Sequence, residues 1–248
     1  MKEDLSEKLQ KILAEAGLGS RRQMEVYITE GRVRVNNQLA KLGDRALPTD
    51  RIDVDKHPLR RKMIAQQKLR VLMYNKPEGQ VCSRKDEENR KTVFDHLPIL
   101  RNSRWIMVGR LDINTSGLLL FTNQGELAYR LMHPKYVVER EYAVRILGKV
   151  TNDMLHRLKT GVLLEDGEAK FDTIQLSGGD GANVWYHVTL HEGKNKKVRR
   201  LWESQGVTVS RLTRVRYGEV TLLSYLRPGR WKELEGPELK KLLKTVSL

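Results

Sequence analysis

The sequence predicts an α+β fold with a largely antiparallel sheet. Three observations carry that expectation. Strand-like runs such as Arg70-Val71-Leu72-Met73-Tyr74-Asn75 and Trp185-Tyr186-His187-Val188-Thr189-Leu190 are interspersed with helical stretches, without the regular spacing of βαβ units. Turn signals are frequent, as hairpins require. The chain opens on two short helical patterns and a small hairpin, a compact unit of its own.

In chain order, Leu9, Ile12, Leu13 and Ala16 follow the i, i+3, i+4, i+7 spacing of an amphipathic helix that Gly17 ends. Ser20 and Gln23 have the spacing of a capping box, so a second helix starts there and runs to about Glu30, with Gly31 as its stop. Arg32-Val33-Arg34-Val35 reads as a short strand, Asn36-Asn37 as its hairpin turn, and Ile52 and Val54 as part of a later strand. From Lys56 to Arg70 there are six Lys/Arg, no acid and one proline, the composition of a basic linker. Beyond it, a strand at 70–75 ends in the turn Lys76-Pro77-Glu78-Gly79. Leu118-Leu119-Leu120-Phe121-Thr122 reads as a buried strand, followed by a turn at Asn123-Gln124-Gly125. Leu127, Leu131 and Met132 mark a short helix that stops at Pro134. Further strands are expected at 141–146 and 185–190, and helices at 196–203 and 237–244. The expected organisation is a first domain over 1–56, a basic linker over 57–69 and a larger domain over 70–248.

Hydrophobic residues make up 39% of the 248 and charged residues 31%, an ordinary balance for a chain with a real core. No run approaches the roughly 20 apolar residues of a membrane span. Met1-Lys2-Glu3-Asp4-Leu5 holds no apolar stretch, so no secretory signal and a cytoplasmic location are expected. Cys82 is the single cysteine, so neither an internal disulfide nor a cysteine-based zinc site is expected. The net charge of +15 points to a polyanionic partner. It is spread over both parts, with 14 Lys/Arg against 10 Asp/Glu in residues 1–66 and 32 against 21 in the remainder. Charge also serves solubility, so the motifs must decide. Walker-type loops, G-x-G-x-x-G fingerprints and G-x-S-x-G elbows are all lacking, which disfavours nucleotide-cofactor enzymes and common hydrolases. His187 and His191 can share a strand face but lack a third ligand nearby in sequence.

The opening unit resembles the S4 domain, an RNA-binding module, through Lys8-Leu9-Gln10-Lys11, Gly19-Ser20-Arg21-Arg22 and Glu30-Gly31-Arg32-Val33-Arg34-Val35. Arg21 and Arg22 open a helix whose N-terminal amides favour phosphate, and Arg32 and Arg34 lie two apart along a strand. Those four arginines are expected to clamp folded RNA through phosphate and shape.

Read locally, Asp112 and Asn114 are turn formers ahead of a buried strand. The run Gly109-Arg110-Leu111-Asp112-Ile113-Asn114-Thr115-Ser116-Gly117 is nevertheless similar to the catalytic motif of pseudouridine synthases that modify bacterial ribosomal RNA. Three more stretches resemble that family in the right order. They are Lys76-Pro77-Glu78-Gly79, Glu139-Arg140-Glu141-Tyr142-Ala143-Val144, and Glu192-Gly193-Lys194-Asn195-Lys196-Lys197-Val198-Arg199-Arg200-Leu201. The stretches Lys91–Pro98 and Asn183–Val188 favour the large-subunit type, with the small-subunit type as a close competitor. Asn114-Thr115-Ser116 departs from some relatives in a way that bears on subtype more than chemistry.

The resemblance implies an S4-type RNA-binding domain followed by a synthase domain whose mainly antiparallel mixed sheet is flanked by helices. It implies isomerisation of a uridine in 23S ribosomal RNA, or otherwise in 16S RNA; a non-catalytic assembly factor is the rival expectation. Ribosomal RNA or an assembly intermediate is the expected partner, the protein a monomer, and neither cofactor nor metal is expected. Asp112 is then the carboxylate near the sugar, either nucleophile at C1′ or base at C2′. A cation from the last motif would keep it ionised, Lys194 first and Arg199 second. Tyr142 would stack under the uracil and assist proton removal from C5. Arg110 would fill the space of the displaced base or hold its phosphate. Arg199 and Arg200, with Arg211, Arg214 and Arg216, would extend the RNA track.

Overall fold

A computed structural model describes residues 5–60, 67–100, 103–180, 183–192 and 196–248. The chain forms two compact units, Met1–Leu69 with Ile99–Trp105, and Arg70–Pro98 with Ile106–Leu248.

In the first unit, strand β1 (Glu7–Lys8) leads into helix α1 (Leu9–Glu15), and helix α2 (Arg21–Thr29) follows. The capping box forms as its sequence dictates. The Gln23 N–H donates to Ser20 Oγ at 3.1 Å, and the Ser20 N–H donates to Gln23 Oε1 at 2.7 Å. Strands β2 (Val33–Val35) and β3 (Gln38–Leu39) turn at Asn36 and Asn37, with φ of 50° and 68°, a left-handed pair that asparagine tolerates. Strand β4 (Arg45–Ala46) pairs with β1, and β5 (Ile52–Val54) and β6 (His57–Pro58) complete a four-stranded sheet in the order β3-β2-β5-β6. Leu9, Ile12, Leu13, Met24, Ile28, Val33 and Ile52 fill its core, with Leu59 packed against it. The small sheet therefore continues past residue 56, where sequence alone starts a linker. The hydrogen-bonding capacity of β5's outer edge is what recruits His57 and Pro58. The centre of the expected linker, residues 61–66, lies outside the described residues.

The second unit is built on one nine-stranded sheet. Its strands are β7 (Val71–Lys76), β8 (Ile106–Val108), β9 (Ser116–Thr122), β10 (Arg140–Leu147), β13 (Thr173–Asp180), β14 (Asn183–Leu190), β15 (Thr208–Tyr217), β16 (Val220–Thr221) and β17 (Trp231–Glu233). A separate hairpin joins β11 (Val162–Leu164) and β12 (Gly167–Ala169). The main order is β13-β14-β10-β15-β9-β7-β17, with β16 on β15 and β8 on β9. The β15–β9 pair is parallel, and the other described pairs of this sheet are antiparallel. Helices α3 (Gly125–Met132), α4 (Asn152–Thr160), α5 (Lys197–Glu203) and α6 (Gly236–Thr245) bury Leu127 and Leu131, Leu158, Leu201 and Trp202, and Leu242 respectively. The expected α+β class with a mixed, mainly antiparallel sheet is what forms. Gly125, expected in a turn, instead opens α3. No described helix is long and apolar enough to cross a membrane.

The ten-residue strand β15 is central yet has no clean two-residue period. Its buried positions are Val209, Leu212, Arg214 and Tyr217. Two irregularities against β10 break the alternation: the partners of Glu141 and Tyr142 are Arg216 and Arg214, and those of Arg145 and Ile146 are Arg211 and Val209. Each irregularity inserts an extra residue, which hides the strand in sequence and bends it.

Candidate active site

The site is assembled at the ends of strands that the sheet places side by side. Its foundation is Lys76, the last residue of β7, which is fully buried. Its ammonium donates to the carbonyls of Pro77 (3.0 Å), Asp112 (3.1 Å), Ile113 (3.4 Å) and Thr115 (2.8 Å). The Gly79 N–H adds a bond to the Ile113 carbonyl at 2.8 Å, and the Thr115 N–H closes the turn on the Asp112 carbonyl at 3.0 Å. Burial pulls the Lys76 ammonium below the usual lysine range, partly opposed by the charges of Cys82, Glu78 and Asp112. Ahead of the turn, Leu111 is buried and its N–H donates to Cys82 Sγ at 3.4 Å. Asp112 is thus held through its backbone, with its half-buried side chain projecting from a pinned turn.

Strand register brings the remaining groups into one row. Lys76 pairs with Gly117 on β9, Gly117 with Arg214 on β15, Arg214 with Tyr142 on β10, and Tyr142 with Val188 on β14. Gly117 is required here: its φ is +100°, and a Cβ would lie 2.3 Å from the Arg214 carbonyl oxygen. Ser116 Oγ and Thr213 Oγ1, 2.8 Å apart, tie the same two strands. Tyr142 is 8% exposed and sits beside one of the β15 irregularities, the kind of local kink that re-aims a side chain.

Arg214 is 2% exposed, with Nε donating to the Leu118 carbonyl at 2.8 Å and its guanidinium 5.1 Å from the Tyr217 ring centre. Its Nη2 is buried and has no hydrogen-bond partner among the described residues. Arg140, two residues before Tyr142, donates to the His191 carbonyl at 2.8 Å and to the Tyr217 hydroxyl at 3.1 Å. It thereby ties the start of β10 to the chain leaving β14. Neither the Lys76 carbonyl cradle nor the Arg140 tie is visible from local sequence. Their only signal is position, inside two of the four stretches that resemble a family.

Residues 70–204 match the family model described as RNA pseudouridylate synthase, and residues 7–52 match that of the S4 domain. The chain belongs to the RNA pseudouridylate synthase family. Among relatives of this family, a ribosomal large subunit pseudouridine synthase B from Pseudomonas aeruginosa is 58% identical over 245 residues. That match covers 98% of this chain and 64% of the relative, so the chain spans just under two thirds of that protein's length. The protein of the same name from Escherichia coli K12 is 56% identical over 246 residues, covering 98% of this chain and 84% of its own. A crystal structure of a pseudouridylate synthase superposes with a TM-score of 0.65 at 28% identity, covering 95% of this chain and 99% of that one.

Within this synthase fold, the residues singled out from sequence fall into three groups. Tyr142 lies in the sheet row described above, Asp112 lies in the turn that leads into Gly117 of that row, and Arg110 is exposed on the loop leading to Asp112. Arg199 reaches the same turn from α5: its Nη2 donates to the Asn114 carbonyl and its Nη1 to the Val209 carbonyl, both at 2.9 Å. Lys194, preferred from sequence as the cation beside Asp112, lies outside the described residues.

The second group is already committed to partners. Arg200 forms a two-pronged pair with Asp166 at 2.8 and 3.0 Å, and that bond holds its pKa above the usual value. Arg32 makes the same kind of pair with Asp55 at 2.8 and 2.6 Å and stacks 3.5 Å from the Tyr27 ring centre. Arg216 is bonded to Glu139 and Glu141. The expected four-arginine clamp and basic track therefore include residues that already have acidic partners within the chain. Arg32, Arg200 and Arg216 are each ion-paired within the protein, and Arg214 is buried.

Arg21 and Arg22, exposed at the start of α2, and Arg34, which donates to the Asn37 carbonyl at 2.9 Å, form the third group, with no ion pair among the described residues. The two histidines on β14's line do not share a site. His187 faces Glu141 at 2.6 Å and His191 faces Asp172 at 2.7 Å.

Proposed function

We propose that this protein isomerises a specific uridine of 23S ribosomal RNA to pseudouridine. The observation that carries this reading is the Lys76 cradle, which pins the backbone of the Asp112 turn at the end of a strand row containing Tyr142. The large-subunit substrate is drawn from the names of the relatives, which describe those proteins.

The reaction is an isomerisation, balanced without any added atom or electron. The C1′–N1 bond of uridine breaks, the uracil turns, C5 bonds to C1′, and the C5 proton leaves as N1 gains one. Asp112 supplies the carboxylate at the sugar, as nucleophile at C1′ or base at C2′. Holding that carboxylate on a rigid turn is the main service of the fold, because misplacement by an ångström costs catalysis heavily. Tyr142 stacks against the turning uracil and assists departure of the C5 proton. Arg199, anchored on the Asn114 carbonyl, supplies positive charge beside the turn, and Lys194 is the second candidate for that charge. The uridine must leave its helical stack, at a cost of a few kcal/mol that phosphate contacts offset. Arg21, Arg22 and Arg34 on the S4 domain, and Arg110 beside Asp112, are the exposed cations suited to that task.

The test is to incubate purified protein with unmodified 23S and 16S RNA and map pseudouridine by carbodiimide adducts and primer extension. One modified uridine in 23S RNA is the expected result. Modification confined to 16S RNA overturns the substrate, and none in either RNA overturns the activity.

A further inference from the structure

Residues 222–230 join β16 to β17 and pass the end of β7. Asn75 grips this loop with three bonds: its Nδ2 donates to the Leu226 carbonyl at 2.7 Å, its N–H donates to the Arg230 carbonyl at 2.9 Å, and its carbonyl accepts from the Gly229 N–H at 2.7 Å. Leu226 is buried as a plug. On this anchored frame the Tyr225 ring is 69% exposed. Exposed Arg227 and Arg230 follow it in the same loop, and the Lys232 ammonium lies by its hydroxyl.

The position of the loop matters as much as its composition. In the sheet, β9 lies on one side of β7 and β17 on the other. The Asp112 turn enters β9 opposite Lys76, and the 222–230 loop enters β17 beside Asn75. Both meet the same end of β7, separated by about two strand spacings, ~10 Å. An exposed ring on a loop that also carries cations offers what an unpaired nucleotide requires: a stacking face for the base and charge for its phosphates.

We propose that residues 222–230 form a contact for an unpaired nucleotide flanking the uridine at Asp112, with Tyr225 stacking on its base and Arg227 and Arg230 holding its phosphates. This rests on the RNA-modifying reading above. It adds a second RNA surface on the catalytic domain, distinct from the S4 domain, that would help select which uridine enters the pocket.

The full-length protein and a fluorescein-labelled RNA hairpin spanning the mapped uridine provide the test, with Kd measured by anisotropy across a salt series. Tyr225→Leu is expected to weaken binding roughly tenfold at every salt concentration, and Tyr225→Phe to stay within about twofold. Arg227→Gln with Arg230→Gln is expected to flatten the plot of log Kd against log salt by about one unit or more. Wild-type affinity and slope in all of these variants overturn the proposal. So does a loss seen only on assembly intermediates and not on naked RNA, which would make the surface a protein contact. If the wild type forms no pseudouridine, the functional reading fails separately, and the same variants on a 12-nucleotide oligouridine still decide the role of the loop.

Discussion

The Lys76 ammonium donates to the main-chain carbonyl of Asp112 at 3.1 Å, and the same buried charge reaches the Thr115 carbonyl at 2.8 Å. These bonds span 36 and 39 residues of sequence, so one side chain joins the end of β7 to both ends of the Asp112 turn. A buried cation solvated by carbonyls is costly to lose, because its removal leaves several acceptors without donors.

Lys76→Met keeps the aliphatic stem and deletes the charge. Turnover is expected to fall roughly 100-fold through misplacement of Asp112, with RNA affinity changed little. Tritium release from RNA labelled at uracil C5, alongside filter binding, separates the two effects. Equal losses in affinity and turnover would instead assign Lys76 to substrate binding.

Gly117→Ala forces a Cβ to within 2.3 Å of the Arg214 carbonyl at a backbone φ of +100°. The β9–β15 junction must part, and a stability loss of about 2–4 kcal/mol in urea unfolding is expected. A variant as stable as the wild type would show that the two strands separate more easily than their register implies.

The S4 arginines are expected to behave as two kinds. Arg21→Gln with Arg22→Gln should weaken RNA binding and reduce its salt slope by about one unit or more, with the fold unaffected. Arg32→Gln should act mainly on the first domain, because it breaks the Asp55 pair and the Tyr27 stack, and thermal unfolding should report it. An equal salt-slope effect from Arg32→Gln would place its guanidinium on phosphate in the complex.

Glu141 gives a pH signature. Burial alone would raise its pKa, but hydrogen bonds from His187 and Arg216 outweigh burial and hold it below the ordinary value of 4.5. Its stabilising contribution is therefore present above pH 4.5 and lost as pH falls through the lowered folded value. Unfolding of wild type and Glu141→Gln should differ most near neutrality, and the difference should shrink as pH drops below about 4.5. A difference that grows on acidification would reverse the sign of the shift.

Local patterns were enough to read the capped start of α2, the Asn36-Asn37 turn and the hydrophobic strand at 118–122, because capping, left-handed turns and burial leave marks within a few residues. Asp112 and Tyr142 were legible only as members of motifs in a fixed order. By contrast, β15 was obscured by its two extra residues, which break the alternation that marks a strand. The status of Arg32 and Arg200 depended on Asp55 and Asp166, 23 and 34 positions away, which no local reading pairs with them. Lys76 was visible as a turn residue, but its role exists only once β7 and the Asp112 turn are brought together.

The most direct test of the account is pseudouridine formation by Asp112→Ala on an RNA that the wild type modifies, with binding measured on the same preparation. The account predicts no detectable pseudouridine and affinity within a few-fold of wild type, since the carboxylate makes no phosphate contact. Full modification by Asp112→Ala would contradict it.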